Sequence, residues 1–390
     1  MTMATKVSVP DNMAQQHSDQ LLALIKDEIA RAGGKINFAQ YMHLCLYTPG
    51  LGYYSAGSNK LGTGGDFTTA PEISSLFSQT LAHHIKDVFS QLEQPNILEF
   101  GAGSGKMAVD ILLELERLQL LPQNYFIIEA SADLRLRQQK QVEENIPHLS
   151  HLVQWLDQLP KKFSGVVLAN EVCDAMPVHC LHFNNGQAKE RYIGQVDGEL
   201  SWLEAEISSP ELFQYCEAIT PLIGDFELFT EVNLAAKAWL ASLADSLKQG
   251  AIFIIDYGHN QASYYHPQRE KGTLMCYYQH QAHDNPLLLA GLQDITAHVD
   301  FTSLAQTALD NNLDIVSFQS QADFLLAGGI TELIPDHEQC DELTYIQLAT
   351  EIKQLTHPSA MGETFKTLTL SLNLDEALIR SQLGDRRYKL

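Results

Sequence analysis

The stretch Asn96-Ile97-Leu98-Glu99-Phe100-Gly101-Ala102-Gly103-Ser104-Gly105 constrains this chain more than any other. An apolar run ends in an acid and then breaks into alternating glycines, the pattern of a buried strand turning tightly into a helix. Glycines at 101, 103 and 105 admit positive φ and let a ligand lie against bare main chain, while the helix start supplies unpaired N–H groups. The turn therefore predicts a nucleotide-like cofactor. By itself the pattern also fits dinucleotide folds and plain structural turns, so the flanking sequence decides.

The flanks alternate as a parallel α/β sheet should. Strands are expected at Ile97–Phe100, Tyr125–Glu129, His151–Trp155, Gly165–Asn170, Ala251–Asp256, Ile315–Phe318 and Phe365–Leu372, most of them separated by helical periodicity. The expected fold is α/β: a doubly wound sheet with helices on both faces, an N-terminal helical extension and a small antiparallel β insertion. Ligands of such sheets sit outside the carboxyl ends of the strands. In domain terms, residues 1–17 read as a loose tail and 18–92 as a helical lobe bearing a lid loop. Residues 93–177 read as the cofactor-binding core, 178–230 as an insertion over the site, and 231–390 as the remainder with a long substrate-side loop at 257–300. The insertion is inferred from hairpin chemistry, Asn184-Asn185-Gly186 and Asp197-Gly198 between short alternating segments. In the helical lobe, Ser18–Ala32 reads as a helix stopped by Gly33-Gly34, and Thr69-Ala70-Pro71-Glu72 reads as a capping box opening one helix from Pro71 to Gln91.

Forty-eight acidic residues against twenty-five basic ones give a formal charge of −23, which repels nucleic-acid phosphate and favours a cationic partner. The six cysteines form no C-x-x-C pair, so neither a zinc ribbon nor a disulfide framework is expected, and no metal site is expected from His280-Gln281-Ala282-His283. No run approaches the length of a membrane span, and the start lacks signal-peptide or transit-peptide character, so a cytosolic protein is expected.

Two cofactors suit a glycine turn with an acid, Glu129, ending the next strand: a nicotinamide dinucleotide and S-adenosylmethionine. A dinucleotide fingerprint wants G-x-G-x-x-G, whereas here the third glycine is Gly105 and position 106 is Lys. Glu99 stands immediately before the turn, where it would repel a pyrophosphate and attract an amino acid's ammonium group. The reading is S-adenosylmethionine.

Beyond the turn, the chain resembles the MidA-like family of S-adenosylmethionine-dependent methyltransferases. The resemblance is carried by Tyr53-Tyr54, Gly65-Asp66-Phe67-x-Thr69-Ala70-Pro71-Glu72, Glu99-Phe100-Gly101-x-Gly103-x-Gly105, Asn170-Glu171-x-x-Asp174-Ala175-x-Pro177 and Asp256-Tyr257-Gly258. Asp294-Ile295-Thr296-Ala297-His298-Val299-Asp300 and Met361-Gly362-Glu363-x-Phe365-Lys366 complete it. It implies a Rossmann-like class I methyltransferase sheet. The family's mitochondrial member is a complex I assembly factor and protein arginine methyltransferase, which implies a protein substrate presenting an arginine; the tail before Ser18 lacks mitochondrial targeting character, which points to a bacterial, cytoplasmic member. With the acidic charge balance and no membrane span, neither nucleic acid nor membrane insertion is expected, and a homodimer stays open.

Glu171 and Asp174 follow the fourth strand beside the expected methyl position and are the first candidates for orienting an acceptor and taking its proton; Asp256 and His298 are second. Cofactor contacts are expected from Glu99, Gly101, Ala102, Gly103, Gly105, Glu129 and Asn170, with adenine beside Trp155 and Leu156 and a lid from Asp66, Thr68 and Thr69. The competing readings are an RNA or small-molecule methyltransferase, and an assembly chaperone that holds the cofactor with little or no catalysis.

Overall fold

The computed structural model describes residues 8–56, 68–335, 340–380 and 383–390. Its centre is a sheet of β1 (Asn96–Phe100), β2 (Tyr125–Ile128), β3 (Val153–Leu156), β4 (Phe163–Asn170), β5 (Leu247–His259), β6 (Asp314–Ser320) and β7 (Phe365–Leu372), in the order β6-β7-β5-β4-β1-β2-β3. The strands from β1 to β5 pair in parallel, while β7 runs antiparallel between β5 and β6. The chain winds outward from β1 through β2 to β3, then returns to the other side of β1 as β4. That reversal opens a crevice at the carboxyl ends of β1 and β4, where ligands of open α/β sheets bind.

Alternation along the strands builds two cores. Ala251, Phe253 and Ile255 of β5 join the cluster on one face, with helices Ser75–Phe89 and Lys106–Arg117. Ile252 and Ile254 join the cluster on the other, with Leu234–Ser246 and Phe301–Asp310. This is the period-two geometry of a strand covered on both sides.

A second lobe joins the N-terminal helices to an antiparallel sheet in which Gln187–Val196 pairs with Lys35–Asn37, His179–Asn184 and Glu199–Ala205, and His179–Asn184 pairs with Leu228–Val232. Its tight turns place Asn185 and Gly186 at φ 49° and 72° and Asp197 and Gly198 at 52° and 85°, as the two-residue hairpins expected there require. Helix Phe38–Tyr47 begins with a reciprocal cap between Asn37 and Gln40.

Four local expectations change. The first helix starts at Asn12, capped by Asp11, ahead of Ser18. The helix expected from Pro71 to Gln91 is two, Ala70–Ile73 and Ser75–Phe89, because Ser74 adopts an extended conformation and caps the second. Thr69 makes no side-chain cap bond; the capping box is absent because Glu72 is engaged elsewhere. Within 257–300, Met275–Tyr278 pairs with both Gln281–His283 and Asp294–Thr296 in a small sheet. Among the described residues, no helix is long and apolar enough to cross a membrane.

Candidate active site

A cleft of about 240 Å³ occupies the crevice between β1 and β4. Its floor is the glycine turn: Gly101, Gly103 and Gly105 have φ of 60°, 55° and 86°, so all three lie in the region that favours glycine. Gly105 stands at the start of helix Lys106–Arg117, and a Cβ there would lie 3.2 Å from the Cα of Gln138. The cleft lining includes Glu72, Glu99, Glu129 and Glu171, and no Lys, Arg or His among the described residues. Such a wall suits a cationic ligand and disfavours a pyrophosphate.

Glu99 is buried at the end of β1. One carboxylate oxygen accepts a 2.7 Å bond from Tyr125, while Oε1 has no partner. Burial raises the carboxyl to about 7, against the Tyr125 bond, and the charge of Glu129 adds to the rise. An unpartnered buried carboxylate oxygen beside bare main chain fits an amino acid's ammonium. Glu129, just past β2, accepts from the Ser131 amide at 2.9 Å and from the Gln138 side chain at 2.9 Å, which orient both oxygens. Gln138 also donates to the Gly103 carbonyl at 3.0 Å and accepts from the Trp155 indole at 2.9 Å. One glutamine thus ties the glycine turn to the acid ending β2.

On the far wall, Asn170 ends β4 and Glu171 follows at φ 54°. The Glu171 amide donates to the Ile255 carbonyl at 2.9 Å, fixing the kink to β5. Burial and then the charge of Asp174 push the Glu171 carboxyl up to about 8. Asp174 lies just behind the lining; it accepts from the Tyr257 hydroxyl, its Oδ1 has no partner, and burial raises it to about 6. Asp256 is fully buried within β5, and accepts from the amides of Cys173 at 3.0 Å, Asp174 at 3.1 Å and Tyr257 at 2.9 Å. It holds the segment that carries Glu171 and Asp174 but does not itself reach the cleft.

Of the residues expected at the cofactor, Thr69, Glu99, Gly101, Ala102, Gly103, Glu129 and Asn170 line the cleft, and Gly105 sits behind it. Thr68 is exposed outside the lining, and Asp66 lies outside the described residues. Trp155 and Leu156 are not lining residues, since the indole is turned toward Gln138. His298 borders a separate cavity of about 20 Å³ and bonds His259 at 3.2 Å; burial lowers it to about 4. The insertion expected over the site contributes no lining residue from 178–230. The roof comes instead from the N-terminal lobe, as Tyr47 and Tyr54.

Among the residues that escaped the sequence reading of the site, four make its key contacts. Glu72 resembled a helix cap, yet it accepts from the Ser104 hydroxyl of the glycine turn, so the short helix Ala70–Ile73 is fastened to the cofactor floor. Tyr47 had no signal of its own. Tyr54 and Asp294 stood in two of the motif blocks without an assigned task, and the structure joins them by a 2.9 Å hydrogen bond.

Comparison with known proteins agrees with this geometry. Residues 80–319 match the family described as S-adenosyl-L-methionine-dependent methyltransferases. A Burkholderia thailandensis crystal structure bound to S-adenosyl-homocysteine is 38% identical, with a TM-score of 0.92 over 99% of this chain and 100% of that one. The Drosophila melanogaster protein arginine methyltransferase NDUFAF7 homolog, mitochondrial, is 26% identical over 86% of this chain and 82% of its own. The Danio rerio protein arginine methyltransferase NDUFAF7, mitochondrial, is 27% identical over 90% and 87%. S-adenosylmethionine is therefore the cofactor, and the sheet order is that of a class I methyltransferase. The chain belongs to the MidA-like family of S-adenosylmethionine-dependent methyltransferases.

Proposed function

We propose that this methyltransferase acts on arginine side chains of a protein, working in the bacterial cytoplasm. The observation that carries the reading is the wall of Glu171, backed by Asp174, facing a cleft with no basic lining residue among those described. The names of the relatives point the same way, and the family resemblance nominates a respiratory-complex subunit as the acceptor.

A guanidinium is planar, charged at neutral pH and a poor nucleophile. A carboxylate paired with one side of it holds its orientation and draws positive charge from the attacking nitrogen. Glu171 takes that position, and with its carboxyl raised to about 8 it also accepts the proton that the methylated nitrogen sheds. Asp174 adds negative charge behind it. Glu99 holds the ammonium of the cofactor and Glu129 its ribose hydroxyls, while the cofactor supplies the electrophilic methyl group.

The test is incubation of the full chain with methyl-labelled cofactor and bacterial extract, followed by acid hydrolysis of the labelled protein. Labelled methylarginine is expected. Label in RNA or a small molecule, or cofactor binding with no transfer, would replace this reading.

A further inference from the structure

Tyr47 and Tyr54 lie side by side in the cleft wall, their ring centroids 5.6 Å apart and the planes 25° from parallel. Both hydroxyls are committed to the protein. Tyr47 donates to the Ala175 carbonyl at 3.0 Å, and Tyr54 to Asp294 Oδ1 at 2.9 Å. Asp294 is itself fixed, buried and accepting the Ile295 amide at 2.9 Å. Tyr53 packs its ring edgewise on Tyr54, at 5.2 Å and 78°. With the donors spent, what the pair offers the cleft is aromatic surface, next to Glu171 and Ala175 on the acceptor side.

We propose that the ring of Tyr54, flanked by Tyr47, is a specificity element that selects a planar guanidinium over the ammonium of lysine. The inference rests on the arginine reading above and extends it to discrimination. The carboxylates alone do not discriminate, since either cation pairs with them. A guanidinium is flat and weakly hydrated, so it can lie on an aromatic ring while its edge meets a carboxylate; an ammonium is compact and strongly hydrated and gains less from the ring. Carboxylate and ring together read both charge and shape.

The experiment titrates the full chain, loaded with S-adenosyl-homocysteine, with an end-blocked Gly-Arg-Gly peptide and its lysine counterpart. It compares the natural protein with Tyr54→Leu and Tyr54→Phe. The natural protein should prefer the arginine peptide by about tenfold, the range expected for one partly desolvated cation–ring contact. Tyr54→Leu should bring the two affinities together, while Tyr54→Phe, which keeps the ring, should retain the preference. S-adenosyl-homocysteine affinity, measured alongside, distinguishes an intact cleft from a collapsed one. Should the leucine variant not fold, Tyr54→Phe decides, because loss of preference with the ring present overturns the proposal. Undiminished preference in Tyr54→Leu overturns it while leaving arginine as the acceptor. A natural protein that binds neither peptide, or both equally, removes the arginine premise itself.

Discussion

Glu99 gives one carboxylate oxygen to the Tyr125 hydroxyl at 2.7 Å and keeps the other buried and unpartnered. The carboxyl, raised by burial to about 7, is mostly neutral below that pH and ionised above it. Affinity for S-adenosyl-homocysteine, which retains the ammonium group, should therefore climb as pH rises to about 7 and then level. Glu99→Gln should weaken binding by roughly tenfold to a hundredfold, the loss of one charged hydrogen bond, and flatten the profile. Calorimetric titration across that range checks both; an unchanged slope in the variant would refute the assignment.

Glu171 is predicted to set the pH dependence of turnover. Its ionised form accepts the proton, so turnover of the natural protein should rise toward pH 8 and level beyond it. Glu171→Gln should abolish transfer yet still bind S-adenosyl-homocysteine. Stability runs the opposite way. The folded carboxyl titrates near 8 and the unfolded one near 4.5, so between those values the native state binds more protons and stability falls as pH rises. Tm of Glu171→Gln should fall less over this window than that of the natural protein. Parallel melting curves would decide.

Asp256 invites a different substitution. Its two oxygens accept three backbone amides, and Asp256→Asn would turn an NH2 group toward at least one of them. A cost of about 1–3 kcal/mol is expected, seen as a lower Tm, together with a fall in turnover as Glu171 and Asp174 lose their support. Full activity with natural Tm would show that the three bonds position nothing.

All seven strands of the central sheet were legible in the sequence, because each is an apolar run ending in glycine, acid or amide. The two hairpins were legible because Asn-Gly and Asp-Gly dictate their own turn. The task of Glu72 was not legible, since Thr69-x-x-Glu72 satisfies a local pattern while Ser104 comes from a distant part of the chain. Asp256 read as a strand-end acid because the apolar run Ala251–Ile255 ends there, but β5 continues to His259 and encloses it. The sheet within 257–300 has strands of three or four residues, too short for alternation to register. Helix Glu342–Thr356 went unread because the exposed Leu343 and Ile346 blur the stripe of Leu348, Ile352 and Leu355 that packs on the core.

The Ser104 and Glu72 contact predicts a kinetic signature. Ser104→Ala keeps the turn and the glycines but removes the donor that fastens helix Ala70–Ile73 to the cofactor floor. S-adenosyl-homocysteine should leave roughly tenfold to a hundredfold faster, in keeping with about 1.5–3 kcal/mol for a hydrogen bond to a charged group. Hydrogen exchange across residues 70–77 should rise with it. Unchanged exchange and release would place the fastening elsewhere.

The position of β7 has a consequence for synthesis. Phe365–Leu372 inserts between β5 and β6, which precede it in the chain, and pairs Lys366 with Asp256 in register. While a nascent chain is still short of residue 365, β5 presents a bare, strongly apolar edge, and the strand that braces the acidic wall is half supported. At ribosomal rates of about 5–20 residues per second, that edge stays open for several seconds after β5 emerges. Chains released early at this stage would carry the glycine turn complete and the proton-accepting wall unbraced, and would be prone to aggregate along β5.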